Sequence, residues 1–138
     1  MGLNKNTLLP IFLSTLWISI SEFVRNEFLL KSVWVNHYKN MGLIFPSDLV
    51  NGAMWGVWSL LFAIMIYIVS AKFSLWHTTL IAWFMGFVMM WLVLWNLDVL
   101  PLPLLVYAVP LSLLEAFLAG WIIRQTTPQQ ARAQNRLS

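Results

Sequence analysis

Long apolar stretches separated by short polar ones dominate the pattern along this chain. A helix needs about 20 apolar residues to cross a hydrocarbon layer of roughly 30 Å. Four stretches reach that length, and they predict transmembrane helices at about residues 8–30, 51–70, 75–97 and 102–124. We therefore expect an all-α integral membrane protein. Residues 1–124 would form a single four-transmembrane-helix bundle, with an outer loop at residues 31–50.

Prolines and polar residues mark the ends of the predicted helices. Pro46 closes the first loop, and the segment Leu100-Pro101-Leu102-Pro103 forces a break between the third and fourth helices. Pro110 lies inside the fourth helix, where it should kink the helix or free a carbonyl group. Polar residues fill positions 125–138, and they predict a disordered cytoplasmic tail.

The distribution of lysine and arginine predicts the orientation of the helices. With four spans both chain termini share one side, and that side collects Lys5, Lys72, Arg124, Arg132 and Arg136. The first loop carries only Lys31 and Lys39. Because cytoplasmic loops carry an excess of basic residues, both termini are predicted to be cytoplasmic. We expect the protein in a bacterial inner (cytoplasmic) membrane.

The composition agrees with a membrane location and excludes several classes of function. Only 9% of the residues are charged, whereas a soluble domain has about a quarter. The chain has no cysteine, which excludes thiolate metal sites and cysteine nucleophiles. It also lacks the Gly-rich phosphate loop and the GxSxG and HExxH motifs. We expect no cofactor, no metal site and no nucleic-acid partner.

Ionisable residues inside the apolar stretches are the most informative feature of the sequence. Glu22 and Arg25 lie in the first predicted helix, and Glu115 lies deep in the fourth. Such residues usually face a bundle interior or each other, because lipid offers them no partners. At 100° per residue, Ser21 and Asn26 lie on the same stripe of the first helix as Glu22 and Arg25. Two carboxylates and one guanidinium leave a spare negative charge, which in an apolar interior takes up a proton or recruits a cation.

Aromatic residues concentrate at the outer ends of the predicted helices. Belts of Trp and Tyr at both membrane interfaces are ordinary, but an outer excess also fits the walls of an outward-facing pocket. The candidate ligand-binding residues are therefore Glu22, Arg25, Asn26, Asn51, Trp55, Trp58, Trp91, Trp95, Asn96 and Glu115.

These residues favour the binding or translocation of a small amphipathic or cationic ligand through that pocket. Two alternatives stay open. The protein could be an intramembrane enzyme that acts on a lipid-like substrate, with Glu22 or Glu115 as acid or base; the sequence favours a non-enzymatic function and indicates no catalytic residue. It could also be a structural or accessory subunit without a ligand, in which the charged residues form an ion-paired network.

Small residues recur every four positions in three of the predicted helices. The pairs and triplet are Gly52 and Gly56, Ala82 and Gly86, and Ser112, Ala116 and Gly120. Small side chains at this spacing let helices approach closely in a membrane. Because four short helices bury little interior, we expect some of these faces to contact further copies of the chain in a homo-oligomer.

Overall fold

The structure is a computed structural model that describes residues 5–128, and it is helical. The helices are α1 Lys5–Phe23, α2 Lys31–Asn40, α3 Leu49–Lys72, α4 Leu75–Trp83, α5 Met89–Asn96 and α6 Leu105–Thr126. A π-helical turn, Val24–Leu29, continues α1, and a second one, Phe84–Val88, joins α4 to α5. A short 3-10 turn, Leu102–Leu104, leads into α6, and residues 5–128 include no strand.

Four continuous helical stretches are long and apolar enough to cross a membrane. They are Asn6–Leu29, Leu49–Lys72, Leu75–Asn96 and Leu102–Thr126. This confirms the predicted all-helical fold with four candidate spans. The beginning of α1 and the end of α6 lie at one end of the bundle, here called the terminal end, and α2 lies at the opposite end, here called the loop end.

The helices pack so that α3 and α6 contact each other, and both α1 and α4 pack against this pair. The core is formed by aliphatic, aromatic and alanine side chains from all four spans: Ile18, Phe62, Ala63, Ile66, Tyr67, Ala82, Phe87, Ala116, Ala119 and Ile123. Large apolar side chains also cover the outside of the bundle, for example Phe12, Leu61 and Leu92. An apolar exterior is what a lipid environment requires.

The three sets of small residues have different roles in this packing. In α6, Ser112, Ala116 and Gly120 are buried, and an added Cβ on Gly120 would lie 3.3 Å from the Leu75 side chain. Gly86 holds the Phe62 ring directly against its backbone. Gly52 and Gly56, by contrast, have nothing within 4 Å of an added Cβ among the described residues. Only the latter pair therefore faces away from the described bundle.

Helix α2 is the main difference from the predicted layout, because it lies within the segment expected to be a loop. Its ten residues are too few to span a bilayer, so a search for apolar stretches of membrane length does not predict it. Gly42, with φ of 74°, ends this helix. The Leu43 amide donates to the Tyr38 carbonyl and the Gly42 amide to the Lys39 carbonyl, the arrangement of a Schellman motif.

The end of α6 also differs slightly from the prediction. The helix continues to Thr126, two residues beyond the expected span, and the Thr127 amide and hydroxyl both donate to the Ile123 carbonyl. Gln125 and Thr126, the first two residues of the segment expected to be a tail, are therefore helical. The rest of the predicted disordered tail, residues 129–138, lies outside the described residues.

A buried acid and arginine cluster as the candidate functional site

The charged residues of α1 and α6 meet inside the bundle. The Arg25 guanidinium donates through Nη2 to Glu22 Oε1 and through Nη1 to Glu115 Oε2, the latter over 3.1 Å. All three side chains are buried: the residues are 4% (Glu22), 6% (Arg25) and 0% (Glu115) exposed. The stripe predicted for the first helix thus faces the interior. We call Glu22, Arg25 and Glu115 the charged cluster.

Local structure brings the three side chains together. Glu22 and Arg25 are three positions apart in the chain, so successive turns of one helix place them side by side. Arg25 lies in the π-helical turn Val24–Leu29, and such wider turns within α-helices are frequent at functional sites. Glu115 approaches from α6, which is antiparallel to α1 and beside it. The Trp17 indole fixes this contact by donating to the Glu115 backbone carbonyl over 3.1 Å.

Two polar side chains complete the hydrogen bonds of the carboxylates. The Ser21 hydroxyl donates to Glu115 Oε2 over 2.6 Å. The Asn26 amide donates to Glu22 Oε2 over 2.7 Å, and its own oxygen accepts from the Trp34 indole over 3.2 Å. The cluster is therefore connected through Asn26 to α2 at the loop end.

The charges of the cluster do not balance when every group is ionised. One guanidinium faces two carboxylates, and the buried Oε1 of Glu115 receives no N–H or hydroxyl donor from residues 5–128. The Glu22 and Glu115 side chains are also within hydrogen-bonding range of each other, which a proton on one of them would satisfy. Because an uncompensated charge in an apolar interior is costly, the cluster can hold one further positive charge.

Aromatic rings form the other side of the cluster. The guanidinium carbon of Arg25 lies 5.1 Å from the centroid of the Phe87 ring, a cation–π contact. The rings of Trp58 and Trp91 lie 5.5 and 5.9 Å from that of Phe87. Trp58 and Trp91, two of the predicted pocket walls, therefore pack against Phe87, the ring that contacts Arg25.

The structure brings together some of the predicted site residues and separates others. Glu22, Arg25, Asn26 and Glu115 are in direct contact with one another through the hydrogen bonds above. Trp55 is 44% exposed, and its ring packs edge to face with that of Trp58. The remaining three, Asn51, Trp95 and Asn96, are partly or fully exposed near the loop-end termini of α3 and α5. None of the hydrogen bonds, ion pairs and ring contacts described above for the cluster involves these three residues.

Several contributors to the site were not among the predicted residues. Ser21 was visible on the polar stripe, but a hydroxyl inside a helix usually bonds its own backbone. Phe87 is one of nine phenylalanines in an apolar sequence, so composition and periodicity give no reason to select it. Trp34 lies in the segment expected to be a loop, and its bond to Asn26 depends on helix α2, which was not predicted.

Two further ionisable groups have roles separate from the cluster. Glu27 lies on the opposite side of the helix, where the Lys31 ammonium reaches it over 2.6 Å at the surface. Asp98 has φ of 57° and ends α5, with its amide donating to the Trp95 carbonyl.

The structure also has an apolar groove on its outside, lined by Leu8, Leu9, Ile11, Phe12, Thr15, Gly56 and Leu60. No member of the charged cluster lines this groove.

Comparison with known proteins gives no relative from which a function could be transferred. No protein family matches the chain, and neither a curated protein nor a solved structure matches it. The function has to be argued from the charged cluster and its surroundings.

Proposed function

We propose that this protein is a small multi-pass membrane protein that binds, and translocates, a small amphipathic cation in exchange for a proton. The observation that carries the proposal is that Glu22 and Glu115, both buried, share the single guanidinium of Arg25. The cluster is electrically neutral with one proton bound. It stays neutral when a monovalent cation replaces that proton, so neither state leaves an uncompensated charge in the membrane.

The position of the cluster supports access from the loop end. Asn26 and Trp34 connect Glu22 by hydrogen bonds to α2, which lies at that end of the bundle. Intramembrane acids that face a protein interior commonly mark ion pathways and proton relays. In this proposal α2 lies on the outer face of the membrane and the chain termini lie in the cytoplasm.

Calorimetry with the purified protein in detergent tests this function. The probe is hexyltrimethylammonium, an amphipathic monovalent cation, titrated at two pH values and in two buffers of different ionisation enthalpy. We expect saturable binding that strengthens as the pH rises, because protons compete for the same carboxylates, with about one proton released per cation bound. Glu115→Gln should abolish the proton release and weaken binding by at least about tenfold, as expected for a buried charge contact.

Glu27→Gln is the matched control for this experiment. It also removes one carboxylate charge, but from the ion pair with Lys31 at the surface and not from the charged cluster. We expect it to bind the probe as the unmodified protein does. Unchanged binding and proton release in Glu115→Gln would overturn the proposal.

A structural role is the second candidate, and it is favoured by the fact that Arg25 bonds both carboxylates at once. In that case the cluster fixes how α1 packs on α6, as buried ion pairs do in some proteins. The same titration separates the two functions. A purely structural cluster gives no saturable binding of the cation at either pH, while Glu115→Gln still lowers the resistance to unfolding.

A further inference from the structure

The charged residues at the two ends of the bundle differ in sign. The chain has five acidic residues, and the three outside the charged cluster all lie at the loop end: Glu27, Asp48 and Asp98. The terminal end has basic residues instead. Lys5 is the first residue of α1, Lys72 is the last residue of α3, and Arg124 lies in the last turn of α6. Within residues 5–128, the terminal end is therefore positive and contains no carboxylate.

Two of these basic residues lie together at the turn between α3 and α4. The Arg124 guanidinium donates through Nη2 to the backbone carbonyl of Phe73, the residue that follows Lys72 in the chain. The Lys72 side chain is exposed and has no ion pair or hydrogen bond within the described part of the chain. Two positive charges from two different spans are thus close to one turn, with no acid to neutralise them.

Exposed indole rings lie next to this turn. Trp76, in the first turn of α4, is 64% exposed and packs against the Phe117 ring, with the ring centroids 5.0 Å apart. Trp121 is 45% exposed and lies one turn before Arg124 in α6. These two indoles donate no hydrogen bond to any of residues 5–128, unlike the indoles inside the bundle. Such rings are typical of the head-group level of a bilayer, where one side is apolar and the N–H finds a polar partner.

From these observations we infer that the turn between α3 and α4 is a docking surface for the head group of an anionic phospholipid. The phosphodiester binds between Lys72 and Arg124, and the glycerol and acyl chains lie along Trp76 and Trp121. We call these four residues the lipid patch. The inference goes beyond the proposed function and does not depend on it, since the lipid patch shares no residue with the charged cluster.

The chemistry of the lipid patch favours a head group with a net negative charge. A zwitterionic head group carries an ammonium group, for which the terminal end offers no carboxylate within residues 5–128. Basic residues at a membrane surface attract anionic lipids by contrast, with a gain in affinity of about fivefold for each Lys or Arg. A soluble phosphate would use only the basic half of the patch, whereas a phospholipid also covers the exposed indoles.

Native mass spectrometry of the purified full-length protein in detergent tests this inference. The protein is titrated with dioleoylphosphatidylglycerol, which is anionic, or with dioleoylphosphatidylethanolamine, which has the same acyl chains and a zwitterionic head group. We expect one saturable site that binds the anionic lipid at least about tenfold more tightly. Lys72→Gln should lower this affinity about fivefold. The double variant with Lys72→Gln and Arg124→Gln should bind the two lipids with similar affinity.

A second double variant, with Lys31→Gln and Lys39→Gln, is the matched control. It removes the same two positive charges from the chain, but at the loop end, and should keep the preference for the anionic lipid. The midpoint of thermal unfolding, measured by circular dichroism, establishes that each variant folds. If Arg124→Gln prevents folding because the bond to Phe73 is lost, Lys72→Gln alone decides, since that side chain is exposed and has no partner within residues 5–128.

Three results would overturn the inference. The first is equal affinity of the unmodified protein for the two lipids. The second is an equal loss of affinity in the two double variants, which would assign the effect to net charge and not to the lipid patch. The third is displacement of the anionic lipid by sn-glycerol 3-phosphate at the same concentration. This compound has the phosphate without the acyl chains, so displacement would mean that the site binds soluble phosphates.

Discussion

Arg25 and Glu115 are 90 residues apart in the chain, yet the guanidinium of one donates to the carboxylate of the other over 3.1 Å in a buried setting. This contact joins the first and last spans of the bundle. The same guanidinium also donates a hydrogen bond to Glu22, so that one cation pairs with two carboxylates. The predictions below follow from this shared arginine and from the packing around it.

Removal of the arginine should be strongly destabilising. Arg25→Met keeps most of the volume of the side chain but leaves two carboxyl groups buried without their cation. The loss of one partner from a buried ion pair costs about 3–5 kcal/mol. We expect a decrease of this size in the free energy of unfolding, measured by circular dichroism during titration of the detergent-solubilised protein with sodium dodecyl sulfate.

A triple variant provides the control for the arginine. Glu22→Gln and Glu115→Gln added to Arg25→Met remove all three charges together, and replacement of a whole buried ionic group is often close to neutral. Most of the lost stability should therefore return. A triple variant that is as unstable as Arg25→Met would show that packing of the arginine stem, and not its charge, determines the effect.

The Ser21 hydroxyl should contribute measurably to stability, because it donates to a carboxylate over only 2.6 Å. Ser21→Ala removes this donor and leaves Glu115 Oε2 with Arg25 alone. A lost hydrogen bond to a buried charged group costs about 1–3 kcal/mol, and the same unfolding titration measures it. Ser32→Ala, at an exposed position of α2, should change the stability by less than about 0.5 kcal/mol. Equal effects of the two changes would contradict this role.

The Trp34 indole should fix α2 on the loop end of the bundle. Its Nε1 donates to Asn26 Oδ1, and its ring packs with those of Tyr38 and Phe45. Trp34→Phe keeps an aromatic ring and removes the donor, at a cost of about 1 kcal/mol. We expect faster amide hydrogen exchange in residues 31–40, measured by mass spectrometry, with little change in α3.

Trp95→Phe is the control for Trp34, since Trp95 lies on α5 with 56% of its surface exposed and has no hydrogen bond to the charged cluster among the described residues. Its replacement should leave the exchange of residues 31–40 as it was. If Trp34→Phe also leaves that exchange unchanged, α2 is held by its aromatic packing and not by the bond to Asn26.

The spans and the polar stripe could be predicted from the sequence because both follow from local regularities. Twenty apolar residues fix a membrane-length helix, and the 100° rotation per residue places Glu22, Arg25 and Asn26 on one face. A different argument predicted that Glu115 faces the bundle interior or other charged residues: lipid gives a carboxylate no partner.

The remainder of the site depends on contacts between distant parts of the chain, which no local pattern encodes. Phe87 lies under Arg25 in a π-helical turn that continues α4. The sequence Phe84-Met85-Gly86-Phe87-Val88 contains no residue pattern that predicts such a turn. Trp95 was predicted as a pocket wall and Asn96 as another ligand-binding residue from their position near the outer end of a span, but this position does not specify which way a side chain points. They are exposed at the end of α5.

Gly86 should be the glycine that the bundle cannot replace. A Cβ at this position would lie 2.5 Å from Cε2 of Phe62, well inside contact distance. The Phe62 ring has little freedom to move away, because Trp58 stacks on it at 4.8 Å and Phe87 meets it edge-on at 5.5 Å. Overpacking of a core costs about 1–3 kcal/mol, so Gly86→Ala should lower the free energy of unfolding by that amount.

Gly56→Ala tests whether this effect comes from the contact and not from the loss of a glycine as such. Gly56 lies in the interior of α3 and would meet nothing within 4 Å. There alanine should stabilise the helix by up to about 1 kcal/mol through its higher helix propensity. The two substitutions are therefore expected to have opposite signs in the same sodium dodecyl sulfate titration. Destabilisation of similar size in both would mean that the face around Gly56 is packed as tightly as that around Gly86, for which residues 5–128 of one molecule provide no contact, and would indicate that a second molecule covers it.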